Sequence, residues 1–435
     1  MWIGLLFATM CLSVLDQNFS PNPSDQPLYL QSAADSERLV QVYREKTTQC
    51  LVLGQYTKGV PYTIETLLLY LQIEYLRSED TQIGIWILLG IVVRIALRMG
   101  YHRDGSHFPR ITPFHAEMRR RMWAVIMQLD ILVSAQFGLP RMIRESHSDT
   151  AEPRNLLDED FGDNVAELPP PRPDTVQTPI LGLVSKNRLC AVFGMISDLT
   201  TSTRPSPYTE VMRLDRILQD AYHAIPSGLQ MRPMTNSFLD SPDAILSRIY
   251  LAVFFHKAQC VLHRKYLIRA RTDIRYTGSR TTCLEAALQI LQYQSILDQE
   301  SQPGRRLDQS RWKVLSILRH EFLLATTILC LDLDHDVTAE SSLVSPPVPQ
   351  DVGRRRRVTQ ALIGSYRIWL QSIDSSRESK RAVEVVRFVL TKAQQMSTRR
   401  STDLGGAGIN MSAGPTDSGR FPAGNCKLSL SILWP

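Results

Sequence analysis

The first residues with the spacing of a reactive site are His102, Arg103 and Asp104, which begin like the catalytic loop of a protein kinase. That loop needs an asparagine five residues after its aspartate to bind the metal, and position 109 is proline. The sequence also has no glycine-rich strand motif. The chain is therefore not predicted to be a kinase.

A second candidate site is formed by Asp332, Asp334 and Asp336, which have the 1-3-5 spacing of a calcium-binding loop. Such a loop needs glycine at its sixth position and a carboxylate at its twelfth, and these positions are Val337 and Leu343. The loop would neither turn nor close around an ion. We expect the three aspartates to lie at a solvated helix end.

The sequence contains none of the other motifs typical of enzymes. GxSxG, a Walker phosphate loop and HExxH do not occur, and the histidines are scattered without a second ligand at helical or loop spacing. No recognisable site supports an enzyme. An enzyme that uses a pocket between helices stays as an alternative, because scattered catalytic residues leave little trace in one sequence.

The seven cysteines are dispersed and form no CxxC pair. An odd number of cysteines within apolar stretches indicates reduced thiols in the core of an intracellular protein. We therefore predict no structural zinc site and no bound cofactor. The cysteines are Cys11, Cys50, Cys190, Cys260, Cys283, Cys330 and Cys426.

Composition and charge favour a folded chain with a basic end. Of the 435 residues, 43% are hydrophobic and 21% are charged, which excludes a disordered or collagen-like protein. The net charge of +6 comes from residues 345–435, where 14 Lys and Arg face 6 Asp and Glu. The densest run, Arg354, Arg355, Arg356 and Arg357, is typical of a nuclear import signal or a polyanion contact. The alternative is a solvated linker.

The elements that must position these residues are helices. Nearly every long segment has helical period, and hairpin signals are missing. Thr112-Pro113 and Ser241-Pro242 are typical helix starts, and Thr282 with Glu285 has the pattern of a capping box. The helix after Thr112 should bury Trp123 together with Met118, Met122, Val125, Leu129, Leu132 and Val133. Further helices are predicted at 28–50, 64–77, 183–200, 209–223, 311–332, 358–373 and 379–396. The predicted fold class is all-α, a large multi-helix bundle.

Two apolar segments have some features of membrane or export signals. Residues 1–15 have the apolar core of a signal peptide but lack a preceding basic residue and a small-x-small cleavage pattern. Residues 81–93 are too short for a span of ~20 residues, so we expect a buried helix between an Asp80 cap and a Gly100 stop. No membrane association is predicted.

Proline-rich breaks divide the chain. They lie at residues 21–27, 168–173 and 341–353. We predict a helical domain over 1–340, a Pro-rich then Arg-rich linker over 341–357, and C-terminal helices over 358–397 that complete the domain. Residues 398–435 lose periodicity and are predicted to be a disordered tail.

One stretch is more specific than these patterns. From Gly90 to Phe161 the chain reads GIVVRIALRMGYHRDG, TPFHAEMRRRMWAVIMQLD, SAQFGLPRMI and DTAEPRNLLDEDF, in that order. This order resembles the regulatory middle-homology domain of fungal zinc cluster transcription factors, and the resemblance covers roughly residues 1–395. The matching residues include Arg94, Gly100, His102, Arg103, Asp104, Glu117, Arg120, Arg121, Trp123, Asp130, Gly138, Pro140, Asn155 and Asp158.

We interpret these motif residues as structural. The guanidinium groups of Arg119, Arg120 and Arg121 suit bidentate pairing with carboxylates, and Asp104, Glu117, Asp130 and residues 158–160 are candidate partners. A nucleic-acid surface made of the three arginines is the alternative. Gly138 and Pro140 suit a tight turn.

The resemblance implies a nuclear, non-enzymatic transcription regulator of a metabolic or secondary-metabolite gene set, and the opening apolar stretch then corresponds to the family domain's first helix. The family's DNA-reading module needs six cysteines that chelate two zinc ions, and no cysteine pair here can build it. We therefore expect weak DNA binding, or binding through a partner. Other transcription factors, coactivators, homo- or heterodimers and a small-molecule effector remain candidate partners. The alternative is a zinc-free interaction module that heterodimerises with an intact zinc cluster factor.

Overall fold

The computed structural model describes residues 1–18, 33–77, 83–308, 318–340, 349–374 and 376–405. Within these ranges the chain forms twelve α-helices, several short 3-10 turns and no β-strand. The all-α prediction is therefore confirmed. The helices are α1 Trp2–Asn18, α2 Ala33–Leu53, α3 Thr63–Arg77, α4 Ile83–Arg98, α5 Pro113–Gln136, α6 Pro179–Thr201, α7 Tyr208–His223, α8 Pro242–His263, α9 Thr277–Glu300, α10 Arg319–Glu340, α11 Pro349–Leu370 and α12 Arg377–Gly405.

Local capping chemistry sets several helix ends. The Thr112 side chain accepts a hydrogen bond from the His115 N–H, and Ser241 accepts one from the Ala244 N–H, as predicted. Gly100 has φ 74°, the left-handed conformation of a helix stop, as expected. The predicted Asp80 cap lies outside the described residues.

The predicted capping box at Thr282 and Glu285 is wrong. Helix α9 begins at Thr277, more than a turn earlier, and Glu285 instead binds Arg357. The reason is tertiary. Ser279 is buried and its hydroxyl lies 2.9 Å from His263 Nδ1 on α8, which holds the extra turn against that helix.

Apolar contacts join neighbouring helices into four clusters that follow one another along the chain. The first cluster lies between α1, α2 and α3, the second between α3, α4 and α5, and the third between α5, α6, α7 and α8. The fourth cluster is formed by the five helices α8, α9, α10, α11 and α12. Helices α3, α5 and α8 each contribute to two clusters, so they carry the packing from one part of the molecule to the next.

The opening apolar segment is helix α1, which packs on α2 and α3. Ala8 and Cys11 are fully buried there. Two other helices have the length and composition to cross a membrane, Pro179–Thr201 and Pro242–Tyr266. In the fold, 56% and 78% of their most apolar windows are buried, as in core helices of a globular domain.

The C-terminal boundaries differ from the prediction. Helix α11 begins at Pro349, so residues 349–357 are helical and not a linker. Proline is compatible with the first turn of a helix because its missing N–H has no partner there. Helix α12 continues to Gly405, into the predicted tail, while 341–348 and 406–435 lie outside the described residues.

Helix α5 buries Trp123 and Val133 as expected, but its buried face is wider than the apolar pattern predicted. Met118 is exposed, whereas Glu117, Arg121 and Asp130 are buried beside Trp123. The apolar pattern did not predict these buried polar residues because their partners lie on distant segments.

Candidate functional site

The motif residues converge where the end of α4, helix α5 and the loop after α5 meet. The Asp104 carboxylate accepts hydrogen bonds from both Nε and Nη2 of Arg120, each at 2.8 Å. The backbone N–H groups of Ser106 and Ala151 also donate to it. The Arg120 guanidinium is the main reason that the pKa of Asp104 lies well below its ordinary value. Asp104 therefore stays ionised and ties the loop before α5 to the loop after it.

Arg121 links the same helix to a second loop. Its Nη1 donates to Asp158 at 2.6 Å, its Nη2 donates to the Leu156 carbonyl, and its Nε donates to Glu117 at 3.3 Å. Burial raises the pKa of Glu117, although Arg121 and the Arg154 N–H act against that rise. The ion pair of Arg121 and Glu117 is buried, so neither side chain is accessible as an acid or a base.

Arg119 has a different environment from its two neighbours. It donates to the Met99 carbonyl at 2.9 Å, and its guanidinium lies 4.4 Å from the ring centre of Tyr101. Burial lowers the pKa of Arg119. All three consecutive arginines are thus engaged inside the protein, which speaks against a nucleic-acid surface at this place.

Trp123 lies at the centre of this region and is 2% exposed. Its Nε1 donates to Ser148 Oγ at 2.8 Å, and Ser148 Oγ in turn donates to the His102 carbonyl at 3.1 Å. The neighbouring Arg103 pairs with Asp149 at the surface, at 2.9 Å. These contacts hold residues 102–104 against residues 148–151.

The turn after α5 is organised by Asp130. Its Oδ2 accepts the N–H groups of Met142 and Ile143 at 2.9 and 2.7 Å, and no arginine donates to it among the described contacts. Burial raises the pKa of Asp130. Gly138 has φ 66°, which allows the tight turn that Pro140 follows. Asp130 therefore orients the loop, which differs from its expected role as an arginine partner.

Asn155 and Arg94 lie at the two ends of the motif. Asn155 donates to the carbonyls of Arg172 and Pro173 and accepts from the Thr178 hydroxyl, so it ties the proline-rich segment to the start of α6. Arg94 is exposed, and its Nη1 is 3.5 Å from the carbonyl of Gly90 on its own helix. The structure brings the other motif residues together but not Arg94.

The aspartates of the rejected calcium loop are not at a solvated helix end, and that expectation is wrong. Asp332 and Asp336 are held by Arg271 and Arg280, with nitrogen–oxygen distances of 2.7 to 3.1 Å. Burial acts to raise the pKa of Asp336, but the arginines outweigh it and lower that pKa. The sequence missed this cluster because its arginines lie more than 50 residues away.

The basic run is helical and partly bound, which corrects the prediction of an exposed linker. Arg354 donates to Asp336 at 3.2 Å and Arg357 donates to Glu285 at 2.7 Å, so both ends of the run contact the folded domain. Arg356 and Arg357 are exposed, whereas Arg354 and Arg355 are half-buried. Glu285 on α9 and Asp336 on α10 therefore hold the first turns of α11 against the domain.

One arrangement of catalytic residue types was missed from the sequence. His263 Nδ1 lies 2.9 Å from Ser279 Oγ, and His263 Nε2 lies 3.3 Å from Asp215 Oδ1. These are the residue types of a serine hydrolase triad, but the two ring nitrogens are exchanged relative to that triad. His263 and Ser279 are also each 1% exposed, and Tyr208 OH lies 2.8 Å from Ser279 Oγ. A substrate would not reach the hydroxyl, so the network joins α7, α8 and α9.

The described residues do not fit a zinc cluster. Among them, no three His, Cys, Asp or Glu side chains are grouped so as to hold a metal ion. Cys11, Cys190 and Cys330 are buried in three different apolar clusters, and burial raises their thiol pKa values. A zinc cluster needs several thiolates within one short segment.

Comparison with known protein families identifies the family of this helical domain. Residues 4–306 match the model described as "Fungal specific transcription factor domain". The match includes α1 to α9 and the whole motif region, and it covers more than half of the chain. The chain therefore belongs to the fungal specific transcription factor domain family.

Several curated relatives carry related names. The chain is 56% identical over 395 residues to "Zn(2)-C6 fungal-type transcription factor pigI" of Monascus ruber, which covers 91% of this chain and 47% of that protein. It is 51% identical over 399 residues to "Zn(2)-C6 fungal-type transcription factor mpsB" of Macrophomina phaseolina, covering 91% and 53%. It is 44% identical over 404 residues to "Pyrrolocin cluster transcription factor fsdR" of Fungal sp. (strain NRRL 50135), covering 90% and 52%. The chain spans about half the length of these relatives, and no solved structure matches it.

Proposed function

We propose that this chain is a nuclear regulator of transcription that controls a secondary-metabolite or other metabolic gene set through its helical domain. The observation that carries the proposal is the family match over α1 to α9 together with relatives named as cluster transcription factors. The geometry supports the proposal, because the motif residues form buried ion pairs that stabilise the helical domain and do not form a reactive site. The chain acts by binding other proteins or an effector and carries out no chemical reaction.

The test is deletion of the gene in the source organism followed by transcript sequencing. We expect a co-regulated set of neighbouring metabolic genes to change. Complementation with the wild-type gene should restore them, whereas the core variant Trp123→Ala should not. The matched control is Trp2→Ala, because Trp2 is an exposed tryptophan on α1. An unchanged transcript profile in the deletion strain would reject the proposal.

A second candidate function is a zinc-free module that heterodimerises with an intact zinc cluster factor. This candidate is favoured because the sequence has no closely spaced cysteines that could hold the family's zinc cluster, and the described residues contain no metal-binding group. In this case the chain holds no zinc and reaches DNA through its partner. Copurification of a tagged chain from nuclear extract should then recover a zinc cluster protein, and recovery of homodimers alone would reject this version.

A further inference from the structure

A cavity of about 100 Å³ lies between the C-terminal ends of α9 and α11 and the first turn of α10. The side of α10 is formed by Phe322 and that of α11 by Trp369. Residues spaced three and four apart share one face of a helix, and α9 lines the cavity with such a set. The set consists of Gln294, Leu297, Asp298 and Ser301.

Two polar groups in this wall have no hydrogen-bond partner among the residues that the structure describes. Gln294 and Ser301 are each 4% exposed, and neither Gln294 Oε1 nor Ser301 Oγ makes a hydrogen bond. Buried polar groups in folded proteins are almost always hydrogen-bonded, because leaving them unpaired is costly. Both groups line the same cavity, so a bound molecule would satisfy what the protein itself leaves open.

The chemistry of the walls restricts that molecule. Gln294 Oε1 can only accept, so the ligand must donate from a hydroxyl or an amide N–H, and the Ser301 hydroxyl can serve as donor or acceptor. Leu297, Phe322 and Trp369 are all at least 95% buried and favour an apolar ligand body. The lining also includes the oppositely charged Asp298 and Arg319, whose charges offset each other, so a ligand with a net charge would lose hydration without an excess of countercharge in the walls.

The size of the cavity gives the last restriction. An apolar cavity of ~150 Å³ binds benzene in another protein, so this smaller one suits a single ring or the end of a longer molecule. We propose that the cavity binds a neutral small molecule that places a hydroxyl or amide N–H donor at Gln294 and Ser301 and an apolar ring against Phe322 and Trp369. This inference deepens the proposed function, because the ligand of a regulatory domain would be its effector.

The test measures binding of three probes to the purified full-length chain by calorimetry and ligand-observed NMR. Phenol supplies a donor on a ring, toluene has the same shape without a donor, and benzoate carries a charge. We expect a millimolar or tighter dissociation constant for phenol and at least tenfold weaker binding of toluene and benzoate. A site built to hydrogen-bond a hydroxyl rejects the analogue that lacks it.

Variants locate the binding. Gln294→Leu should weaken the binding of phenol at least tenfold, so that phenol no longer binds more tightly than toluene. Ser301→Leu should fill the cavity and abolish the binding of both probes. The matched control is Gln292→Leu, which changes an exposed glutamine on the same helix and should bind phenol like the wild type. Gln294→Leu should still fold, because it removes an unsatisfied buried polar group. Melting curves check that all variants are folded.

Three results would overturn the inference. They are equal affinity for phenol and toluene, no binding of phenol to the folded wild type, and an equal loss of binding in Gln292→Leu and Gln294→Leu. The second result would mean that water alone fills the cavity. None of them involves a promoter, so each would leave the proposed role in transcription standing, and an unchanged deletion strain would leave the binding result standing.

Discussion

Arg120 holds both carboxylate oxygens of Asp104 at 2.8 Å, although the two residues are sixteen positions apart and lie on different elements. The pair fixes the short turn after α4 against the first half of α5. The same carboxylate also accepts the N–H of Ala151, so one side chain joins three segments of the motif. A charge at position 104 is therefore part of the fold.

We predict that Asp104→Asn lowers the free energy of unfolding by about 3 kcal/mol at pH 7, because it leaves the half-buried Arg120 guanidinium with only the more distant carboxylate of Glu117, at 3.8 Å. The folded pKa of Asp104 is lowered, so its contribution is present above the unfolded pKa of ~4 and is lost as the pH falls through the folded value. Urea unfolding at pH 7 and pH 3 measures both. An equal loss at the two pH values would contradict the assignment.

Trp123→Ala should lower the free energy of unfolding by about 3–5 kcal/mol, because it empties a fully buried site. Trp123→Phe should cost less, since it loses the hydrogen bond to Ser148 but keeps an aromatic ring in place. Denaturant titration of both variants checks this. Trp2→Ala serves as the exposed control and should stay within about 0.5 kcal/mol of the wild type.

The buried pair Lys257–Glu321, at 2.7 Å between Nζ and Oε1, gives a third prediction. Burial acts to raise the pKa of Glu321, but Lys257 outweighs it and the pKa is lowered. Lys257→Met should cost about 3–5 kcal/mol because it strands a buried carboxylate. The double variant Lys257→Met with Glu321→Leu should recover most of that loss in thermal unfolding. Additive losses would show that the two side chains do not act as a pair.

The basic run of α11 gives a prediction about localisation. Arg356→Ala with Arg357→Ala should move a fluorescently tagged chain from nucleus to cytoplasm and change stability by no more than about 1 kcal/mol, since Arg357 pairs with Glu285 in an exposed position. Arg354→Ala should instead lower the melting temperature, because Arg354 forms a largely buried ion pair with Asp336. Microscopy and melting curves separate these effects. Nuclear accumulation of the double variant would mean that the run is not the import signal or that a partner carries the chain.

We expect the purified chain to bind duplex DNA only weakly and without sequence preference. Arg119, Arg120 and Arg121 are engaged inside the fold, and the positive excess lies in residues 345–435. Fluorescence anisotropy should show affinity that falls steeply between 50 and 200 mM salt, as counterion release requires. A nanomolar, sequence-selective footprint at physiological salt would contradict this expectation.

Local chemistry made the helices readable from the sequence. Thr112 and Ser241 cap their helices with their own side chains, and Gly100 alone can take the left-handed turn at low cost, so these ends depend on adjacent residues only. The order of the motif segments was also sufficient to recognise the family. Periodicity and capping act over a few residues, and a sequence displays them directly.

Pairing between distant residues was decided by the tertiary structure. The sequence named Asp104, Glu117, Asp130 and Asp158 as arginine partners, but only the fold assigns Asp104 to Arg120, assigns Asp158 to Arg121 and turns Asp130 towards backbone N–H groups. The helical path of Arg354 to Arg357 and the cavity beside Gln294 likewise arise where α9, α10 and α11 meet. Charge and hydrogen-bond energies depend on distance in space, and residues 13 to 72 positions apart come that close only when the helices pack.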